Sequence, residues 1–192
     1  MREGGAAAGA AAAIPVSFTL VTGNPDKRAE AERILGSPVD CVPLDLPEPQ
    51  SLDLLAVLRA KGDEAFRRLR RPVVVEETGL ELAALNGFPG PLVKWMLAAV
   101  GAEGIARTAL ALGDARVTAR CALLWTDGDR EVIGEGETDG TLVHPARGAG
   151  GFGWDPVFLP DGEARTYGEL SAADKDRLGH RGRAWRDLLA KL

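Results

Sequence analysis

The residues that usually signal a special chemistry are sparse in this chain. It has two cysteines, Cys41 and Cys121, far apart and outside any CxxC or Cys/His spacing. Neither a disulfide framework nor a zinc site is expected, and a reducing cytosol is the expected compartment. Basic excess is missing too: 23 Lys and Arg against 28 Asp and Glu leave a net charge of −5. That argues against a protein built to grip a nucleic-acid backbone, which needs a basic surface. It leaves room for a local basic pocket that holds a small anion. No stretch approaches the ~18 continuous apolar residues of a membrane span, so no membrane partner is expected.

What remains is an ordinary globular balance, with 45% hydrophobic and 27% charged residues in 192. That length can bury a full core as one domain, or as one domain with two lobes. Met1 to Ala13 is almost all Ala and Gly. Ala11-Ala12-Ala13 has the small residues of a signal cleavage site. The stretch lacks the Leu, Val or Phe of an apolar core segment, and Arg2 is offset by Glu3. Residues 1–14 are therefore expected to be a disordered tail, and residues 15–192 a single domain.

Val16 to Val21 is a short β-type run, and Thr22-Gly23-Asn24-Pro25-Asp26 cannot continue it. Lys27 to Leu35 favours a helix that stops at Gly36. After a Pro-rich connector from Pro43 to Pro49, a helix is expected from about Asp53 to Arg70. Leu55, Leu58, Phe66 and Leu69 fall on one of its faces. Val73 to Val75 reads as a short buried parallel strand. Asn86 to Pro91 reads as a loop, followed by helical segments to about Leu112. Apolar residues alternate from Val117 to Trp125, Asp127-Gly128 supplies a hairpin turn, and a return strand follows near Glu131 to Glu137. Ser171 with Asp174 resembles a capping box opening the last helix. The order of elements predicts a mixed α/β protein with a strand–helix half and an antiparallel excursion.

Several segments could carry chemistry, each beside a plainer reading. Thr22 to Lys27 enters a helix N-terminus, where free backbone N–H groups, the dipole and Lys27 would favour an anion. A plain βα turn looks similar. Glu76-Glu77 after the Val73–Val75 strand lies where α/β proteins place active sites, and could bind Mg²⁺. A solvated acidic turn is the alternative. Gly150 to Pro156 sets Phe152 and Trp154 among glycines, which suits close backbone approach and stacking on a base; a tight turn with core aromatics would look the same. His180-Arg181 reads by default as part of a solvated basic helix face.

Together these pieces form a recognisable series. Thr22-Gly23-Asn24, Pro47-Glu48, Val75-Glu76-Glu77-Thr78, Gly87-Phe88-Pro89-Gly90-Pro91 with Lys94-Trp95, Gly151 to Pro156 and His180-Arg181-Gly182-Arg183-Ala184 occur in that order. The chain resembles the inosine triphosphate pyrophosphatase family over about Val16 to Leu192. The Pro-Gly-Pro-x-x-Lys-Trp stretch and the Gly-Trp-Asp-Pro form look closer to the eukaryotic members. The resemblance implies an elongated, two-lobed α/β fold with a central mixed β-sheet flanked by helices, a cleft between the lobes, and usually a homodimer. It implies Mg²⁺-dependent hydrolysis of non-standard purine nucleoside triphosphates (ITP, dITP, XTP) to the monophosphate and pyrophosphate, cleansing the nucleotide pool.

By the matching positions, Thr22, Gly23, Asn24 and Lys27, with Lys61, Lys94 and Lys175, would hold the triphosphate. Thr78 belongs to the same substrate site. Glu48 and Glu77 would hold Mg²⁺, and Glu77 would be the catalytic carboxylate that helps activate water. Phe152, Gly153, Trp154 and Asp155 would form the base pocket, with His180 and Arg181 reading the 6-keto edge of the purine. Donors aimed at a 6-keto oxygen face the 6-amino group of adenine unfavourably, which can discriminate by about 10⁴-fold.

Three positions depart from the family pattern. Glu77 stands where Asp is usual, and Gly179 replaces the usual Ser before His180. Asp176 stands where Asn is usual, beside Lys175, and is expected to weaken the local positive field. Glu77 and Asp176 motivate an alternative, a catalytically weak nucleotide-binding protein of the same fold. A pyrophosphatase for modified pyrimidines fits His180-Arg181 and the Gly-Trp-Asp-Pro loop less well.

Overall fold

A computed structural model describes residues 16–192; the expected tail, 1–14, lies outside the described residues. The chain opens with β1 (Thr19–Val21) and passes through the Thr22 turn into α1 (Pro25–Leu35). Asn24 caps α1, accepting from the N–H groups of Asp26 and Lys27, and Pro25 takes the first helical position, where a missing N–H costs nothing. The helix therefore starts two residues earlier than the composition of Lys27–Leu35 suggests, and Gly36 ends it at φ 68°. A two-residue strand, β2 (Cys41–Val42), precedes α2 (Leu54–Leu69). Asp53 caps α2 through Leu55 N–H and Ala56 N–H at 2.9 and 3.1 Å, and Arg70 closes it in the left-handed conformation.

β3 (Val73–Leu82) corrects one expectation. It does not stop at Val75 but runs ten residues, straight through Glu76 and Glu77. The ladder explains this. Glu76 sits opposite Leu123 and Glu77 opposite Ala122 in an antiparallel neighbour, so both keep their backbone pairing. Successive side chains of a strand point to opposite faces, so the two carboxylates cannot serve one centre as an adjacent pair. Then come β4 (Pro89–Gly90), inside the segment expected to be loop, and α3 (Val93–Ala111), broken at Gly101 with φ 70°.

β5 (Arg116–Thr126) and β6 (Glu131–Leu142) form the expected hairpin, its turn held by Asp127 accepting from Asp129 and Arg130 N–H. β6 runs five residues beyond Glu137 and pairs with β7 (Phe158–Pro160). The single last helix that was expected is two, α4 (Ala172–Leu178) and α5 (His180–Lys191), because Gly179 is extended at ψ 159°. Ser171 caps α4 as expected, at 3.1 Å from Asp174 N–H. α5 lies directly on β6: a Cβ at Gly136 would sit 2.3 Å from the carbonyl oxygen of His180.

The seven strands make one mixed sheet, ordered β2-β1-β3-β5-β6-β7, with β4 on the edge of β3. β1 is parallel to β2 on one side and to β3 on the other, and every remaining pairing is antiparallel. From β1 the chain goes first to β2 over α1 and then back past β1 to β3 over α2. The gap beyond the carboxyl end of β1 is thus a topological switch point, the place where open α/β sheets take ligands. α1 and α5 pack with Val74 and Cys121 on one face; α2 packs with Val73, Val75 and Ala122 on the other. A third core fills the far end, where Leu80 and Leu82 meet α3, β7 and Tyr167. The middle of β3, Glu76 to Thr78, lies between the two halves. No helix among the described residues is long and apolar enough to cross a membrane.

Candidate active site

At the switch point a cleft of about 610 Å³ is lined by the Thr22–Lys27 turn, Leu44 to Leu46, Glu48, Lys61, Glu76 and Lys94. Three helices each bring a lysine to this place, Lys27 at the start of α1, Lys61 in the middle of α2 and Lys94 at the start of α3. A Cβ at Gly23 would meet no other protein atom within 4 Å, so the turn leaves open space on the cleft side. The amides expected to be free are in fact occupied. Asn24 N–H donates to Thr22 Oγ1 at 3.1 Å, and Asp26 and Lys27 N–H donate to Asn24 Oδ1. The turn therefore offers an anion the helix dipole and the Lys27 ammonium rather than a nest of amides.

β3 is paired with β1 only at Val73 and Val74, and β4 joins it only at Leu80 and Glu81. Between those points its edge is open, and Lys61 fills it. Its ammonium donates to the Glu76 carbonyl at 2.9 Å, to Glu77 Oε2 at 2.8 Å and to Glu48 Oε1 at 3.2 Å. Burial alone would lower the Lys61 pKa, but Glu77 and Glu48 beside it outweigh that and raise it. Burial would likewise raise the Glu48 carboxyl, yet Lys61 and Lys94 hold it below the ordinary carboxylate value. Glu48 and Glu77 converge on one point from different elements. Carboxylate oxygens of this kind, Glu48 from the cleft wall and Glu77 from behind Lys61, suit a hard divalent cation such as Mg²⁺. Among the described residues no three His, Cys, Asp or Glu side chains form a closed cation cage, so further ligands have to come from substrate and solvent.

On the opposite face of β3 the charges are buried. Arg181 donates to Glu76 from Nε at 2.9 Å and Nη2 at 3.1 Å, and to Glu30 from Nη1. Glu30 also accepts from Lys175 at 2.7 Å, and Lys175 reaches Asp155 Oδ2 at 2.6 Å. Asp155 in turn accepts from Phe152 N–H at 2.7 Å, which shapes the glycine loop. Gly151, at φ 71°, passes so close that a Cβ there would lie 2.1 Å from Asp155 Oδ2. Both cations flank the Phe152 ring, Lys175 Nζ at 4.6 Å and Arg181 Cζ at 5.4 Å from its centroid. Arg181 is 4% exposed and His180 2%, so the solvated basic face is corrected: this is the buried wall of the site. Burial holds His180 well below its usual pKa, with Arg181 and Lys175 adding to the effect, so the imidazole is neutral. It lies between Trp154 at 6.3 Å and Tyr167 at 6.0 Å, and neither ring nitrogen has a protein partner.

The structure thus divides the expected residues into two groups. Thr22, Gly23, Asn24, Lys27, Lys61, Lys94 and Glu48 line the main cleft, with Glu77 behind Lys61. Phe152 and Lys175 line a second cavity of about 260 Å³, which shares Asp26 with the first. Thr78 donates to Glu76 Oε1 at 2.9 Å, while Gly153, Trp154, Asp155, His180 and Arg181 line neither cavity. Lys175 stands apart from the other lysines, spent on Glu30 and Asp155. The expectation for Asp176 is also corrected. Arg33 grips it with two bonds, at 2.8 and 3.2 Å, so its charge is matched by a cation other than Lys175. Sequence reasoning missed Glu30, Arg33 and Tyr167. Glu30 follows Lys27 by one helical turn, and that spacing is the only trace of its role in the sequence.

The chain matches the model of the Ham1 family over residues 18–191. It is 39% identical over 173 residues to the inosine triphosphate pyrophosphatase of Batrachochytrium dendrobatidis, covering 88% of this chain and 90% of that one. It is 36% identical over 176 residues to the dITP/XTP pyrophosphatase of Pyrobaculum aerophilum, covering 90% and 94%. Among solved structures, the Ham1 protein of Coxiella burnetii superimposes with a TM-score of 0.80 at 23% identity, over 92% of this chain and 98% of that one. The nucleoside-triphosphatase / dITP/XTP pyrophosphatase of Mycobacterium abscessus does so with a TM-score of 0.65 at 31% identity, over 90% and 98%.

Proposed function

This chain belongs to the Ham1 family, and on that premise we propose that it hydrolyses ITP, dITP and XTP to the monophosphate and pyrophosphate, clearing deaminated purines from the nucleotide pool. The observation that carries the reading is the convergence of Lys27, Lys61 and Lys94 with Glu48 and Glu77 at the switch point. Glu48 and Glu77 would hold Mg²⁺, which would supply charge neutralisation along the triphosphate. Lys27, Lys61 and Lys94 bind the phosphates, exchanging their present carboxylate partners for phosphate oxygens. Glu77 orients the water that attacks the α-phosphorus and takes its proton, and pyrophosphate leaves in line. Phe152 offers its ring to the base, and Arg181, with two of its five N–H donors unspent, offers them to a 6-keto oxygen.

The test is pyrophosphate release from ITP, XTP, GTP, ATP and dUTP, with and without Mg²⁺. Metal-dependent release from ITP and XTP is expected, with ATP and dUTP slower by orders of magnitude. Binding of ITP without turnover, with release restored by Glu77→Asp, would favour a weakly catalytic nucleotide-binding protein instead. A homodimer and a cytoplasmic location, with neither nucleic acid nor membrane as partner, belong to the same proposal. Exposed Leu52, Phe88 and Trp95 offer apolar surface for a second copy, and light scattering would measure the mass.

A further inference from the structure

The six buried or half-buried charges behind the glycine loop form one alternating series, Lys27, Glu76, Arg181, Glu30, Lys175, Asp155, each bonded to the next. Three are cationic and three anionic, so the series is neutral as a whole, and its buried members depend on one another for compensation. It begins in the turn that faces the triphosphate and ends on the loop that carries Phe152. Glu76 joins Lys27, at the first end, to Arg181, which flanks the Phe152 ring. Its Oε1 receives Lys27 Nζ at 2.9 Å, Thr78 Oγ1 at 2.9 Å and Arg181 Nη2 at 3.1 Å, and its Oε2 receives Arg181 Nε at 2.9 Å. Two cations with different tasks thus share one carboxylate oxygen.

We propose that Glu76 is a positioning residue that couples the phosphate and base subsites: an anion that takes Lys27 leaves Arg181 as the one cation on Glu76, beside the neutral Thr78 hydroxyl, and pins the guanidinium for the purine. This rests on the functional reading above and adds to it a reason why the correct base should speed the reaction and not only tighten binding. The physical step is local. Lys27 is 23% exposed and can turn toward the cleft, whereas Arg181 and Glu76, at 5% each, cannot leave. When Lys27 turns to a phosphate, the Oε1 it vacates strengthens its bond to Arg181 Nη2. A guanidinium held on two oxygens loses less freedom when a base accepts from its remaining donors. Linkage makes the effect reciprocal, so a base in place must raise the affinity for phosphate by the same factor.

The two halves of the substrate can be supplied separately as inosine and tripolyphosphate, with Mg²⁺ present throughout. Calorimetry of each in the absence and presence of the other gives the coupling factor directly on the wild-type protein. A factor of about 5 or more is expected, equal in both directions. In Glu76→Gln and in Lys27→Met it should fall to 1, even where either ligand alone binds more weakly. Binding of both ligands with no mutual effect, or with mutual weakening, in the wild type would overturn the proposal and leave the pyrophosphatase reading standing. Failure of both ligands to bind would overturn the two together. If Glu76→Gln does not fold, Lys27→Met carries the comparison, since Lys27 is partly exposed and its loss leaves the Glu76–Arg181 pair intact.

Discussion

Glu77 and Glu76 are neighbours in β3, but the regions they face differ in how easily their ion pairs can be exchanged. Around Glu77, Lys61 is 13% exposed and Glu48 37%. Around Glu76, Arg181 and Glu30 are 5% and 7% exposed, and Lys27, at 23%, is the partner on the cleft side. An ion pair open to solvent is worth little and can be traded for a ligand at little cost. A buried one has already surrendered its hydration and leaves an uncompensated charge if broken. The difference assigns the cleft-side members, Glu48 and the lysines Lys27, Lys61 and Lys94, to binding and release, and the Arg181, Glu30 and Lys175 cluster to holding geometry.

The comparison breaks most visibly in stability. Glu30→Gln strips a charge from between Arg181 and Lys175 and should cost about 3–5 kcal/mol in denaturant unfolding. Glu48→Gln on the open side should cost less than about 1 kcal/mol. A similar small loss in both would put the two regions on one footing. Activity should invert the order. Glu77→Gln should lower kcat by about 10²-fold or more, while its thermal midpoint stays within a few degrees of wild type.

Next in size is the response to acid. Above pH 6.5, its ordinary value, His180 is neutral folded and unfolded and contributes nothing. Below it the unfolded chain takes up a proton that the folded chain refuses. Stability is thus lost as pH falls, by at most about 1.4 kcal/mol per pH unit. His180→Asn should flatten that slope in thermal melts between pH 7 and 5. Glu30 is held below its ordinary 4.5: burial would raise it, but Arg181 and Lys175 lower it further. Its contribution, intact above that value, should be lost only at lower pH still. The smallest effect is expected at Asp176, whose charge Arg33 matches: Asp176→Asn should leave kcat/KM for ITP within about twofold, since such half-exposed pairs contribute little. A rise of tenfold would mean that the acid does depress the field at Lys175.

Much of this architecture was legible because it is written in local chemistry. Asn24-Pro25 starts a helix, Asp53 caps another, and Asp127-Gly128 turns a hairpin, each through atoms two or three residues apart. The substrate class was legible through six motifs in register, and the family match spans the same length of chain. What escaped lies in long-range pairings. Glu30 meets Arg181 across 151 residues, and Glu76 meets it across 105. Two acids after three valines look like the end of a strand until an antiparallel partner is seen to continue beside them.

The sequence by itself determined the elements, their caps and the presence of a phosphate-type turn, because those depend on neighbours along the chain. It also determined which acids and bases were available. Only the tertiary structure decided which carboxylate meets Lys61 and which meets Lys27 and Arg181. That choice follows from the pleat of β3 and from α2 lying on one face of the sheet while α1 and α5 lie on the other. A one-residue slip of that strand would exchange the two roles with no change in composition.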